Sequence, residues 1–274
     1  MYGINKVTAL FYSATGCTDQ LAKCAAEEAG RIFNVPVSFV DYTNPVQRQL
    51  PVRISHHELL ILAFPTYGNR LPDYVSDDLR RNLRGNDAPV IEIVTYGNRD
   101  YGDCLAEMTD IARRNGFIPV TAAVFPVRHA YTDLVGNGRP NDRDMSGLRK
   151  FIKKSCEHVN HNDVSKFQLK VPGNIDGPHY QPIGTEGKPV SLAGIKPKTD
   201  VEKCKKCGRC VELCPMGAIS AEDFTVTGTC IRCQACVRGC PAEAKYFDDP
   251  EFLAHVAKLE EKCKAKKPIE YFYA

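Results

Sequence analysis

The chain has no tryptophan, and nowhere in its 274 residues does an apolar run approach the roughly 18 residues a membrane span needs. The first absence removes indole as a stacking platform, so an aromatic contact to a planar ligand must come from tyrosine or phenylalanine. The second argues against a helical membrane span. There is no lysine-bearing phosphate loop and no G-x-G-x-x-G, which excludes a P-loop and the dinucleotide fingerprint. No Ser–His–Asp set and no paired-carboxylate site can be argued, and His56-His57 precedes a strand with no matched ligand partner. A surplus of one charge is lacking too. The net charge is +3, with 19 basic and 18 acidic residues in 1–160 and 12 and 11 in 201–274. That balance argues against a nucleic-acid partner. Met1-Tyr2-Gly3-Ile4-Asn5-Lys6 runs straight into a strand pattern without a secretory h-region. A cytoplasmic protein is therefore expected.

Cysteine, in contrast, is abundant. Of 13 cysteines, eight fall into two copies of one phrase: Cys204-x2-Cys207-x2-Cys210-x3-Cys214-Pro215 and Cys230-x2-Cys233-x2-Cys236-x3-Cys240-Pro241. Without an export signal, such density means metal and thiol chemistry rather than disulfides. Paired zinc knuckles are usually set apart by a longer spacer and do not run as C-x2-C-x2-C ending in C-P. The spacing is that of two [4Fe–4S] clusters. Three cysteines two residues apart curl around one cluster, and the fourth, a turn further on, reaches the other. Cys204, Cys207, Cys210 and Cys240 are thus predicted to hold one cubane, and Cys230, Cys233, Cys236 and Cys214 the second. Cys17, Cys24, Cys104, Cys156 and Cys263 lie outside the motifs. Free thiols beside two oxygen-labile clusters suit an anaerobic setting.

Residues 1–160 alternate strand and helix. Val7–Phe11, Val35–Val40, Glu58–Phe64, Val90–Thr95 and Ile118–Phe125 read as strands. Helices are expected over Asp19–Ile32, Pro72–Leu83, Asp103–Arg114 and Met145–Asn160. Short apolar strands alternating with helices predict a doubly wound α/β fold around a five-stranded parallel sheet. Residues 161–200 hold five prolines and five glycines and no periodicity. They read as a linker that lies on the first domain. A small α+β two-cluster domain is expected over 201–250 and a helical tail over 251–274. Lys203, Lys205, Lys206 and Arg209 surround the first cysteine motif, either as a solvated face or as a docking patch for an acidic partner.

The first strand leads into Ser13-Ala14-Thr15-Gly16-Cys17-Thr18, and then a helix begins. Hydroxyls at Ser13, Thr15 and Thr18 with a glycine at the turn make a phosphate cradle. The third strand ends in Pro65-Thr66-Tyr67-Gly68-Asn69-Arg70 and the fourth in Thr95-Tyr96-Gly97-Asn98-Arg99-Asp100-Tyr101-Gly102-Asp103. Ligands in such sheets sit beyond the carboxyl ends of the strands. The first loop resembles the phosphate loop of flavodoxins, and the whole chain resembles the flavodoxin–ferredoxin fusion proteins of anaerobic microbes. The resemblance implies FMN and two [4Fe–4S] clusters. It also implies ring contacts from Pro65, Thr66, Tyr67, Gly68, Thr95, Tyr96, Gly97, Asn98, Tyr101 and Asp103. Cys17 departs from the small residue of that loop; it reads as a backbone donor, or as a thiol activated by the helix start. His129, after the fifth strand, is a candidate hydrogen-bond or proton donor at the flavin, or an exposed loop histidine. The function these features predict is single-electron transfer among clusters, FMN and a redox partner, a ferredoxin-like donor or an acceptor reductase. The alternative is an FMN-dependent reductase of a small organic substrate, fed by the clusters. A homodimer stays open.

Overall fold

The computed structural model describes residues 3–274. Its main sheet is built from β1 (Lys6–Phe11), β2 (Val37–Asp41), β3 (Glu58–Pro65), β4 (Ala88–Tyr96) and β5 (Phe117–Pro126), all parallel. The helices between and after them are α1 (Cys17–Phe33), α2 (Asp73–Asn82), α3 (Cys104–Arg114) and α4 (Asp142–His161). The order across the sheet is β2-β1-β3-β4-β5, the flavodoxin-like order. The switch point lies between β1 and β3, where successive crossovers leave to opposite faces.

The run ELLILAFP explains why β3 is central. Residues 58–64 are all buried, and β4 is buried along its whole length. Each fully buried leucine or isoleucine there contributes about 1.5–3 kcal/mol. One face of the sheet packs on α1 and α4 through Leu21, Ala25, Ala29, Leu148 and Ile152; the other packs on α2 and α3 through Val75, Leu79, Met108 and Ile111. Gly30, inside α1, is needed for this closeness: a Cβ there would lie 2.3 Å from Val37 Cγ2.

Two expectations change. The sheet has a sixth strand. The C-terminal segment is helical only over α5 (Pro250–Lys262); then β6 (Glu270–Tyr273) pairs antiparallel with β5. Pro268 bars a longer helix, and three consecutive aromatics, Tyr271-Phe272-Tyr273, suit a strand that covers the edge. Tyr271 stacks on Phe151 at 5.3 Å. The cysteine-rich domain also starts earlier than 201, because Lys198–Thr199 pairs with Lys245–Tyr246 and closes it. Among the described residues, no helix is long and apolar enough to cross a membrane.

Candidate functional site

A cleft of about 940 Å³ opens at the carboxyl ends of β1, β3 and β4. It is lined by Ser13, Ala14, Thr15, Cys17 and Thr18, by Pro65, Thr66, Tyr67 and Gly68, and by Thr95, Tyr96 and Gly97. These are the loops expected to hold the cofactor. Gly16 is the N-cap of α1 at φ 92°, a left-handed turn that favours glycine. No side chain caps that helix, so its first N–H groups are left for an anion. Ser13 Oγ and Thr66 Oγ1 are buried without a hydrogen-bond partner. Buried hydroxyls are seldom left so, and the phosphate and ring heteroatoms of FMN would satisfy both. Thr18 Oγ1 is instead bonded to Thr95 Oγ1 at 2.7 Å. Burial pushes the Cys17 thiol up against the pull of Arg128.

Asn98, Tyr101 and Asp103, by contrast, do not line the cleft. Asn98 donates to the carbonyls of Cys263 and Ala265, both at 2.9 Å, and holds the start of the tail. The Tyr101 hydroxyl donates to Glu270 at 2.8 Å. Asp103 accepts from the Asn174 N–H at 2.7 Å and so anchors the linker.

The cysteines sort by space rather than by sequence. Cys214, Cys230, Cys233 and Cys236 line one small cavity with Ile219, Ala235 and Phe247, whereas Cys204, Cys207, Cys210 and Cys240 do not line it. Cys214 therefore sits with the second motif. Backbone N–H groups donate to sulfur at Cys214 (from Ala218, 3.3 Å), Cys230 (from Arg232, 3.4 Å) and Cys240 (from Ala244, 3.3 Å). Burial pushes Cys233 and Cys236 up to about 12; thiolates there call for a cationic partner. Four sulfurs around one apolar cavity, with N–H donors beside them, fit an iron–sulfur cubane. Among the described residues, no group of three or more His, Cys, Asp or Glu is arranged for a single metal ion.

Comparison with known proteins gives one family match and a set of distant solved structures. The 4Fe–4S binding domain family matches residues 197–220, the segment that carries the first motif. Residues 197–220 thus match a 4Fe–4S binding domain, and they follow a doubly wound α/β domain. A Streptococcus pneumonia TIGR4 flavodoxin is 18% identical over 57% of the chain and 97% of its own length, with a TM-score of 0.40. A Megasphaera elsdenii flavodoxin is 15% identical over 55% and 98%, with a TM-score of 0.37. Rubredoxin oxygen:oxidoreductase from Desulfovibrio gigas is 17% identical over 57% of this chain and 36% of its own, at 0.37. A search of the curated proteins finds no match.

Two arginines dock the cysteine-rich domain onto the first domain. Arg48, 4% exposed, is paired with Asp78 at 2.9 Å and donates to the carbonyl of Pro215, next to Cys214, at 2.7 Å. Arg238, two residues after Cys236, donates to the Ala130 carbonyl at 3.0 Å and to both oxygens of Asp133 at 2.7 Å. The linker lies on the first domain, with the Tyr180 N–H donating to the Gly68 carbonyl at 2.9 Å and Arg70 to that of Gly177 at 2.5 Å. As a result the cleft gains walls that motif reading missed. Tyr180 and Leu192 come from the linker, His255 and Leu259 from α5, and Thr229–Cys233 from the second cysteine motif. His129 does line the cleft. Its ring lies over Gly97, where a Cβ would sit 2.4 Å from His129 Cδ2. The Tyr131 N–H donates to His129 Nδ1 at 3.1 Å, which leaves the ring proton on Nε2. Burial, with His255, Arg99 and Arg238 nearby, lowers His129 to about 4. It is a neutral imidazole at neutral pH.

Proposed function

We propose that the chain is an electron-transfer flavoprotein in which two [4Fe–4S] clusters pass single electrons to and from FMN and a redox partner. One observation carries this reading: Cys230 and Cys233 line the same cleft as the 13–18 and 65–68 loops. FMN takes up two electrons one at a time, whereas a cluster exchanges one. In this reading the order of the centres follows from which cysteines line the cleft. The set Cys214, Cys230, Cys233 and Cys236 forms the proximal site, clamped to the flavodoxin-like domain by Arg48 and Arg238. The set Cys204, Cys207, Cys210 and Cys240 forms the distal site, where Cys207 is exposed. Tethering holds the centres at a high effective concentration, so transfer between them does not wait for diffusion.

The holoprotein is expected to contain about eight iron atoms per chain. Iron analysis with electron paramagnetic resonance after anaerobic reconstitution checks this. A value near four, or stoichiometric zinc, would overturn it. Heat-released flavin is expected to run as FMN.

The distal site also has a partner-facing charge. Lys203 is paired with Asp200 at 3.5 Å and Arg209 with Glu212 at 3.3 Å, while Lys205 and Lys206 are exposed beside Cys207. Charge reversal at Lys205 and Lys206 is expected to slow reduction by an acidic ferredoxin about tenfold or more at low salt. Added salt should slow the native protein in the same way, and reduction by a neutral small donor should not change. Unaltered ferredoxin kinetics in stopped flow would make the patch an ordinary solvated face.

A further inference from the structure

The mouth of the cleft carries a positive group that makes no ion-pair contact among the described residues. Arg99 is half-buried, and its guanidinium lies over the Tyr180 ring at 3.8 Å. One of its five N–H groups donates to Asn69 Oδ1. Among the described residues, no carboxylate comes within ion-pair distance of it. The two carboxylates that line the cleft are engaged elsewhere, Asp73 with His179 at 3.2 Å and Asp100 with the Gly102 N–H at 2.9 Å. Desolvation pulls the Arg99 pKa down against the opposing attraction of Tyr180 and Asp100.

From Arg99 a continuous row of rings runs across the cleft. Tyr180 lies 6.0 Å from His255, His255 lies 6.4 Å from Tyr131, and Tyr131 lies 5.1 Å from His129. His255 is only 5% exposed, and its Nδ1 is buried without a hydrogen-bond partner. Burial of a ring nitrogen without a partner costs about 1–3 kcal/mol, so its place in a cleft wall points to a ligand. Leu192 and Leu259, each 4% exposed, add an apolar wall. A cleft of about 940 Å³ also lies at the upper end of the size that holds one drug-sized ligand, which leaves room beside a flavin.

We propose that Arg99, His129 and His255 form a subsite in this cleft for a small organic carboxylate, seated beside the flavin. The guanidinium, held flat by Tyr180, presents its free edge as a fork that matches a carboxylate. The imidazoles supply single hydrogen bonds, and the leucines take the carbon chain. The proposal rests on the flavin reading only for its neighbour, since the recognising residues belong to other loops than the phosphate cradle.

The test is calorimetric titration of the purified holoprotein with butyrate and with its neutral isostere butyramide, with bound FMN measured separately. Saturable butyrate binding is expected, with butyramide weaker by about tenfold or more. Arg99→Gln should lose butyrate binding by a similar factor and keep its FMN and its melting temperature. Arg99→Lys, which keeps the charge without the fork, should recover part of it. Equal binding of butyramide, absence of saturable heat, or native affinity in Arg99→Gln would overturn the subsite. Loss of FMN from Arg99→Gln would overturn it too, because it would assign the guanidinium to the flavin. Butyrate binding in a native protein that carries no FMN would sustain the subsite and refute the flavin reading.

Discussion

Replacement of Cys214 with alanine is expected to abolish the cluster of the second motif and leave the first in place, although Cys214 is part of the first motif in sequence. Iron should fall from about eight atoms per chain to about four. The physical reason lies in the turn that follows Cys210. Residues 209–212 form one short helical turn, which carries Cys214 away from its own triad and into the cavity of Cys230, Cys233 and Cys236. The Pro215 carbonyl is then held from the other domain by the buried Arg48. Even outer-sphere changes cost about 10–100-fold in metal affinity, and loss of a ligand thiolate should cost more. Because Cys230 and Cys233 line the cleft proposed to hold FMN, the same variant should lose fast reduction of that flavin by ferredoxin, read by stopped flow. Cys207→Ala should spare the proximal signal. Loss of the Cys204, Cys207 and Cys210 cluster in the Cys214 variant, with the other intact, would reverse the assignment.

The parts of the molecule legible in the sequence were those set by local chemistry. The near-continuous apolar run of β3 could only be a buried strand. Gly16 had to follow the hydroxyls of Ser13 and Thr15, because the chain turns there at φ 92°. The cysteine spacing put Cys214 beside the second triad, and Cys214 lines the cavity of Cys230, Cys233 and Cys236. What escaped was built from partners far apart in the chain. Asn98 looked like a ring contact because it follows Tyr96-Gly97, but its amide is taken by the tail carbonyls of Cys263 and Ala265. Asp103 looked like a ligand group and instead holds residue 174. The sixth strand depends on a pairing of Tyr271 with Ala123, which no local pattern encodes. The Arg99–Tyr180–His255 wall joins a strand loop, a linker without periodicity and a distant helix. Its residues carry no spacing relation to one another, so only the folded chain brings them together.

Removal of the Ser13 and Thr15 hydroxyls together is expected to release FMN from a protein that keeps its clusters. Both residues line the cleft, and Ser13 Oγ is buried without a partner in the chain. A hydrogen bond to a charged group contributes about 1.5–3 kcal/mol. Two such bonds to a phosphate correspond to an affinity loss of about a hundredfold or more. Thr18→Ala should behave differently. Its hydroxyl is bonded to Thr95 Oγ1 at 2.7 Å, so its loss disturbs the wall of the cleft rather than the phosphate directly, and the fall in affinity should be smaller. Gly16→Ala adds a separate effect, since a side chain at φ 92° is strained by about 1–2 kcal/mol although nothing lies within 4 Å of its Cβ. Bound flavin per chain and fluorescence titration of the deflavinated protein measure these losses, while iron content serves as the internal control. Native FMN retention in the Ser13→Ala, Thr15→Ala protein would mean that the loop does not hold the phosphate. A greater loss from Thr18→Ala alone would place the phosphate deeper, at the Thr18–Thr95 pair.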